Sequence, residues 1–222
     1  MIFNRKKVTD DEPVETQRSE MQNFIHSIPA LGNPTLEDFD SLPGSHGPFG
    51  LTISNPIPVN GPIGERVYIF LLRSSTGKPF VYQRLGSFPS KEFKRHIDIF
   101  ELLSSDGKEW TVLYLSMMHP RRSTLTPPGM SRVSWSKHKE PFGLIAKHGG
   151  FGLTRIRSST FPNNLPGHVQ ADLLATGFPA PIARATATAL GSLLGAVTIQ
   201  ARPYSYTGLC QQYNLAHTDD YR

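Results

Sequence analysis

The sequence has a single cysteine, Cys210, among its 222 residues, so a disulfide framework within one chain is excluded. Its first twenty residues, MIFNRKKVTDDEPVETQRSE, lack the apolar stretch of a secretory signal peptide. We therefore expect no signal peptide. The predicted setting is the cytoplasm, or a particle that is assembled inside the cell.

Long hydrophobic runs are also missing. The uncharged stretch from Ala185 to Ile199 has 15 residues, fewer than the roughly 20 that a helix needs to span a bilayer. We predict no membrane span. The motif Gly191-x-x-x-Gly195 within this stretch is interpreted as a place of close packing on the core or on another subunit.

No catalytic or metal-binding motif is recognisable. The eight histidines form no HExxH pair, and Cys210 with His217 lacks a glycine elbow and an orienting acid. The loop HGGFG at 148–152 is followed by a strand-like pattern, whereas a phosphate loop is followed by a helix. We expect Asp98 and Glu101 to lie on a solvated strand edge. The sequence thus predicts no cofactor, metal or catalytic residue, and an enzyme with an unrecognised site stays an alternative.

What the chain does contain in excess is glycine and proline, 19 of each. Hydrophobic residues make up 38% and charged residues 18%, both low for a globular domain. This composition predicts many turns around a modest core. We divide the chain into an acidic polar leader at 1–18, flexible when isolated, a short helix and loop at 19–50, a β-rich core with basic loops at 51–160, and a helical extension with an irregular tail at 161–222.

Apolar segments between polar turns predict the core. Strands are predicted at 66–73, 79–85, 97–103 and 110–117, with a hairpin turn at Asp106-Gly107. The last strand is apolar on both alternations, so we expect it to be central and covered on both faces. The predicted fold class is α+β, with a small, mostly antiparallel β core, long irregular arms and a C-terminal helical segment.

Two helices are predicted in the extension. The first spans 166–176 and stops at Gly177, and the second spans 181–197. The helical spacing of apolar residues predicts one buried face of the second helix, made of Ile182, Ala185, Ala189, Leu190, Leu193, Leu194 and Val197.

Four sequence blocks carry a resemblance. NPIPVNGPIGE, QRLGS, IDIFELLSSDGKEW and HPRRS, all within residues 55–123, resemble blocks of a group of short bacterial proteins to which no activity is attached. The resemblance implies a shared small β domain. It implies no functional residues.

Charge is distributed unevenly along the chain. Residues 1–40 carry four basic and eight acidic residues, whereas residues 112–170 carry eight basic residues and one acid, Glu140. An acidic leader and a basic centre predict electrostatic docking of some kind.

HPRRS, at 119–123, is the sharpest feature of the basic centre. Two adjacent arginines with nearby hydroxyls can bind phosphate or carboxylate, and that carboxylate can come from the same chain, from Glu65, Asp98 or the leader. The predicted anion- or partner-binding residues are His119, Arg121, Arg122, Arg132, Lys137, Lys139, Arg155 and Arg157.

These observations favour a structural or interaction protein, a subunit or accessory factor of a larger assembly, which docks through its arms and its basic span. The expected partner is another protein or a second copy of the chain. The alternative is a nucleic-acid-associated protein that uses the basic span at 119–157.

Overall fold

The computed structural model describes residues 40–134, 159–175 and 177–215, and it has the α+β architecture that the sequence predicts. The main sheet has four strands in the order β1-β5-β4-β3, and β2 pairs with β6 separately. β1 runs parallel to β5, and the other pairs are antiparallel. The described elements, in chain order, are β1 (Ile57–Pro58), α1 (Gly61–Leu71), β2 (Leu72–Arg73), β3 (Phe80–Ser90), β4 (Arg95–Ser104), β5 (Trp110–Ser116), β6 (Ser131–Arg132), α2 (Leu165–Ala175), α3 (Ala180–Gly195) and α4 (Tyr206–Gln212).

The β4–β5 hairpin forms as predicted, and β5 lies inside the sheet between β1 and β4. Gly107 adopts a φ of +75°, a backbone conformation in which a residue with a side chain is strained. Its N–H donates to the Ser104 carbonyl at 2.8 Å. Asp-Gly is a favoured pair in tight hairpin turns for this reason. The turn therefore fixes the register of the two central strands.

Both faces of the sheet are covered. Phe100 and Leu102 of β4 pack with Tyr68 and Ile69 of α1 on one face. On the other face Ile97, Ile99 and Leu103 pack against the C-terminal helices: α4 covers the first two, and α2 and α3 cover Leu103. Because neighbouring residues of a strand point to opposite faces, β4 is buried from Ile97 to its end.

The strand predicted at 66–73 is wrong. Residues 61–71 form the helix α1, and only Leu72 and Arg73 are extended. A continuous apolar run such as VYIFLL does not distinguish a buried strand from a buried helix. Pro62 in the first turn is the local signal for a helix start. The helix buries several sides at once, since Val67, Tyr68, Ile69 and Leu71 are all buried.

The solvated edge expected for Asp98 and Glu101 is also wrong, since both side chains are buried at about 1% exposure or less. Asp98 faces α1 and accepts a hydrogen bond from Arg84 Nη2 at 2.7 Å. Glu101 faces the opposite side, where the Arg202 Nε lies 2.7 Å from its Oε1 without hydrogen-bond geometry. Arg202 Nη2 donates to its Oε2 at 3.3 Å. Each buried carboxylate therefore has an arginine partner.

α2 and α3 match the two predicted helices, and Gly177 separates them with a φ of +89°. The predicted buried face of α3 is confirmed at Leu194 and Leu190, which pack in the core, and is wrong at most of its other positions. The helix buries Ala183, Ala187 and Leu194, and it leaves Ile182 and Leu193 49% and 44% exposed. The helix is apolar around most of its circumference, so spacing alone does not select the face that packs on α2 and β4.

The variants Gly107→Ala and Gly77→Ala compare a turn that contacts the C-terminal extension with a turn that does not. Both glycines have nearly the same φ, +75° and +76°. A Cβ at Gly107 would lie 2.7 Å from the Thr198 carbonyl oxygen, whereas one at Gly77 would meet nothing within 4 Å. We expect Gly77→Ala to lower the free energy of unfolding by about 1–2 kcal/mol, and Gly107→Ala to lower it by at least about 1 kcal/mol more. Urea denaturation of both variants measures the difference. Equal losses of unfolding free energy would contradict the close contact between Gly107 and Thr198.

Gly191→Ala should stabilise the protein. A Cβ at this position would lie 3.7 Å from Pro166 Cγ, an ordinary van der Waals contact. Alanine in a helix interior is better than glycine by roughly 0.8–1.0 kcal/mol. We expect the melting temperature to rise. A fall would show that α2 and α3 approach more closely than this.

Candidate anion-binding end of the sheet

Three segments meet at one end of the main sheet. The chain after β1 pairs with the chain after β5, through Val59 N–H to Ser116 O at 2.9 Å and Gly61 N–H to Met117 O at 2.7 Å. The β3–β4 turn reaches the same place, where Arg95 Nη1 donates to Met118 O at 3.1 Å. The fold therefore brings together NPIPVNGPIGE and HPRRS, which lie more than fifty residues apart in the sequence.

The HPRRS segment is held firmly by the core. His119 is buried, and its Nδ1 lies 2.7 Å from the Arg121 carbonyl oxygen. Ser123 N–H donates to Pro58 O at 2.9 Å, and the Ser123 carbonyl accepts from Arg132 Nη1 at 2.7 Å. Arg132 also lies over the Tyr68 ring at 5.9 Å. Two of the predicted binding residues, His119 and Arg132, are thus part of the support of this segment.

Arg121 binds a carboxylate of its own chain, the last acidic residue of the stretch 1–40. Its Nη1 donates to Asp40 Oδ1 at 2.9 Å. Thr124 donates to the same carboxylate twice, from its N–H to Oδ1 and from its hydroxyl to Oδ2, each at 2.6 Å. Partial burial raises the pKa of Asp40, but the bonds from Thr124 and Arg121 outweigh it and lower this pKa to about 2. The anion-binding capacity expected of HPRRS is therefore used within the chain.

Arg122 lies over the start of α1. Its Cγ would be 3.5 Å from a Cβ at Gly64, and Asn60 Oδ1 would be 2.5 Å from it. A Cβ at position 64 would displace the Asn60 side chain, whereas its 3.5 Å distance to Arg122 Cγ is an ordinary van der Waals contact. Gly64 therefore leaves space for Asn60 of its own block, and Arg122 of the HPRRS block packs beside it.

The β3–β4 turn adds three cations at this end: Lys91, Lys94 and Arg95. We define the basic end as segments 91–95 and 118–122. Within these two segments five cations, Lys91, Lys94, Arg95, Arg121 and Arg122, face one acid, Glu92. These residues precede the basic centre in the chain, so the charge pattern of the sequence does not indicate them. The register of β3 with β4 opposes Ser90 to Arg95, whose Nη1 contacts the Met118 carbonyl, and the turn therefore lies at this end of the sheet.

The remaining predicted residues are not placed by the structure. Lys137, Lys139, Arg155 and Arg157 lie outside the described residues, as do His217 and the loop at 148–152. Their role in anion binding stays a prediction. Cys210 is described, and it is buried beside Tyr206 and Tyr213.

A buried carboxyl pair lies behind the basic end, between α1 and β4. Glu65 and Asp98 are 2% and 1% exposed, and they are hydrogen-bonded to each other. Arg84 Nη2 and the Ser87 hydroxyl both contact Asp98 Oδ1. Burial raises the pKa of Glu65 well above its usual 4.5, and the Asp98 carboxylate raises it further. Burial beside the Asp98 carboxylate therefore favours the neutral, protonated form of Glu65.

Neither a metal centre nor a membrane helix is found in the described part of the chain. No group of three or more histidine, cysteine, aspartate or glutamate side chains could hold a metal ion there. None of the described helices is long and apolar enough to cross a bilayer.

Comparison with known proteins adds no family. No protein-family model matches the chain, and neither the curated proteins nor the solved structures contain a match. The resemblance of residues 55–123 to short bacterial proteins stays a prediction.

Glu65→Gln should change how stability depends on pH. The folded pKa of Glu65 is raised, so its contribution to stability is complete below about pH 4.5 and is lost as the pH rises toward the folded pKa. In that window the wild-type protein should lose about 1.4 kcal/mol of unfolding free energy per pH unit through this group. Glutamine stays neutral, so the unfolding free energy of the variant should increase relative to that of the wild type as the pH rises. Urea denaturation across the window measures this.

The control for Glu65→Gln is Glu92→Gln, which neutralises an exposed glutamate of the β3–β4 turn. Its stability difference from the wild type should change little over the same pH range. A parallel response of the two variants would contradict the raised pKa of Glu65.

Proposed function

We propose that this protein is an interaction protein that docks its basic end on an acidic surface of a protein partner, as a subunit or accessory factor of a larger assembly. The observation that carries the proposal is the difference in charge between the two ends of one sheet. The basic end has five cations and one acid in its two segments, and Asp40, bound to Arg121, adds a second negative charge, so the excess of positive charge remains. At the opposite end, the turns 74–79 and 105–109 carry Lys78 and Lys108 against Asp106 and Glu109.

The separation of the two ends makes the difference effective. β4 has ten residues, so the ends lie about 30 Å apart at about 3.3 Å per residue. This exceeds the Debye length of about 8 Å at physiological ionic strength. A partner at the basic end therefore experiences its positive charge with little influence from the opposite turns. Such a field speeds encounter with an acidic surface and orients the two molecules.

The rigidity of the basic end also supports docking. Its two segments are tied to the sheet by backbone hydrogen bonds and by Arg95, which contacts the Met118 carbonyl. A backbone that is already fixed needs no further ordering on binding, which leaves only the side chains to be ordered. Met118, which is 38% exposed and whose carbonyl binds Arg95, offers an apolar contact beside these charges.

A test replaces Lys91 and Lys94 together with glutamine and measures binding of a fluorescein-labelled glutamate-rich peptide by anisotropy. Both lysines are exposed. We expect a loss of affinity of several-fold, because two charges leave the docking surface, and wild-type binding should weaken steeply with salt. A labelled thymidine oligonucleotide is measured beside the peptide. Stronger and more salt-dependent binding of the oligonucleotide would favour the nucleic-acid alternative.

The matched control is Lys78→Gln with Lys108→Gln, which removes the same charge from the opposite end. Peptide affinity should fall far less in this variant. Equal losses in the two double variants would show that only net charge matters, and binding that is insensitive to salt would contradict an electrostatic interface.

A further inference from the structure

At the basic end, the segment 121–124 already binds an anion, the carboxylate of Asp40. Four donors in residues 121–124 converge on one residue: Arg121 Nη1, Thr124 N–H and Thr124 Oγ1 bind the Asp40 carboxylate, and Ser123 Oγ donates to the Asp40 backbone carbonyl at 2.6 Å. Both carboxylate oxygens receive at least one of these bonds. Charge-assisted bonds of this kind are short and strong.

The backbone on either side of Thr124 is held by contacts that do not involve Asp40. Ser123 is fixed by Pro58 of β1 through its N–H and by Arg132 through its carbonyl. Leu125, next to Thr124, is fixed by Tyr68 of α1, whose hydroxyl donates to the Leu125 carbonyl at 2.7 Å. The core therefore fixes the backbone that carries Ser123 and Thr124 independently of Asp40.

The occupant, in contrast, can leave. The Asp40 side chain is 31% exposed, Arg121 is 35% exposed and Thr124 is exposed, so solvent reaches the site. Leu42, only 4% exposed, anchors the chain two residues after Asp40. Release of Asp40 thus leaves the chain from Leu42 onward in place.

We propose that Arg121, Ser123 and Thr124 form an exchangeable carboxylate-binding site, which Asp40 occupies in cis and which an acidic segment of a partner protein enters by displacing it. This inference rests on the proposed docking of the basic end. Asp40 is tethered beside the site, so it competes at a high effective concentration. A partner must carry several acidic residues, so that contacts with Lys91, Lys94 and Arg95 compensate for the exchange.

The test compares Asp40→Ala with Glu92→Gln in the full-length chain. Each variant removes one negative charge at the basic end, but only the first empties the site. We expect Asp40→Ala to bind the labelled glutamate-rich peptide about tenfold more tightly than Glu92→Gln, because the competing carboxylate is gone. Adding Thr124→Val, which removes one donor without a change of charge, should abolish most of that gain. Equal affinities of Asp40→Ala and Glu92→Gln would overturn the proposal.

A second measurement needs no macromolecular partner. Acetate should raise the melting temperature of Asp40→Ala above that in chloride at the same ionic strength, and it should not do so for the wild-type protein. Failure of this rescue would overturn the site even if peptide binding is electrostatic. Rescue by acetate without peptide binding would keep the carboxylate site but overturn both the partner exchange and the proposed docking. If Asp40→Ala increased the affinity for the thymidine oligonucleotide but not for the peptide, the assignment of the site to carboxylates would be overturned.

Discussion

The fold depends on burying a strand that carries two carboxylates. β4 is covered on both faces, yet Asp98 and Glu101 lie within its buried part. An isolated buried charge costs several kcal/mol, so each carboxylate needs a partner on its own face. Arg84 of the neighbouring strand supplies one for Asp98, and Arg202 supplies one for Glu101 from 101 residues later in the chain.

The second pairing explains why the C-terminal extension belongs to the core. Arg202 lies over the Trp110 ring at 4.9 Å and the Tyr206 ring at 5.2 Å. Glu101 also accepts from Gln83 Nε2 at 2.6 Å and from the Tyr204 hydroxyl at 2.9 Å. Burial raises the pKa of Glu101, while Arg202 and these hydrogen bonds lower it. The charged contact and the apolar cover thus form together, and without the extension Glu101 would lose its only ionic partner among the described residues.

Local signals in the sequence predict the elements whose determinants are local. Asp106-Gly107 indicates the hairpin, and Gly177 marks the break between α2 and α3, because a left-handed backbone favours a residue without a Cβ. At the helix α1 the sequence predicts a strand, because VYIFLL is apolar at every position and burial on several sides removes the helical periodicity. The environment of Asp98 and Glu101 depends on partners distant in the chain, which no local pattern indicates.

In the candidate site, too, some features follow from local sequence and others from contacts between distant parts of the chain. The anion-binding character of HPRRS is readable from its residue types, but its neighbours are set by the strand register. The register opposes Ser90 to Arg95 and directs Arg95 to Met118, so the cations of the β3–β4 turn join those of HPRRS. Helices cover both faces of this sheet, which leaves its ends as the surfaces where backbone turns and charged side chains meet solvent. Of the two ends, only the basic end combines an excess of positive charge with a group of donors that binds a carboxylate. The hydrogen bonds to Asp40 show this binding.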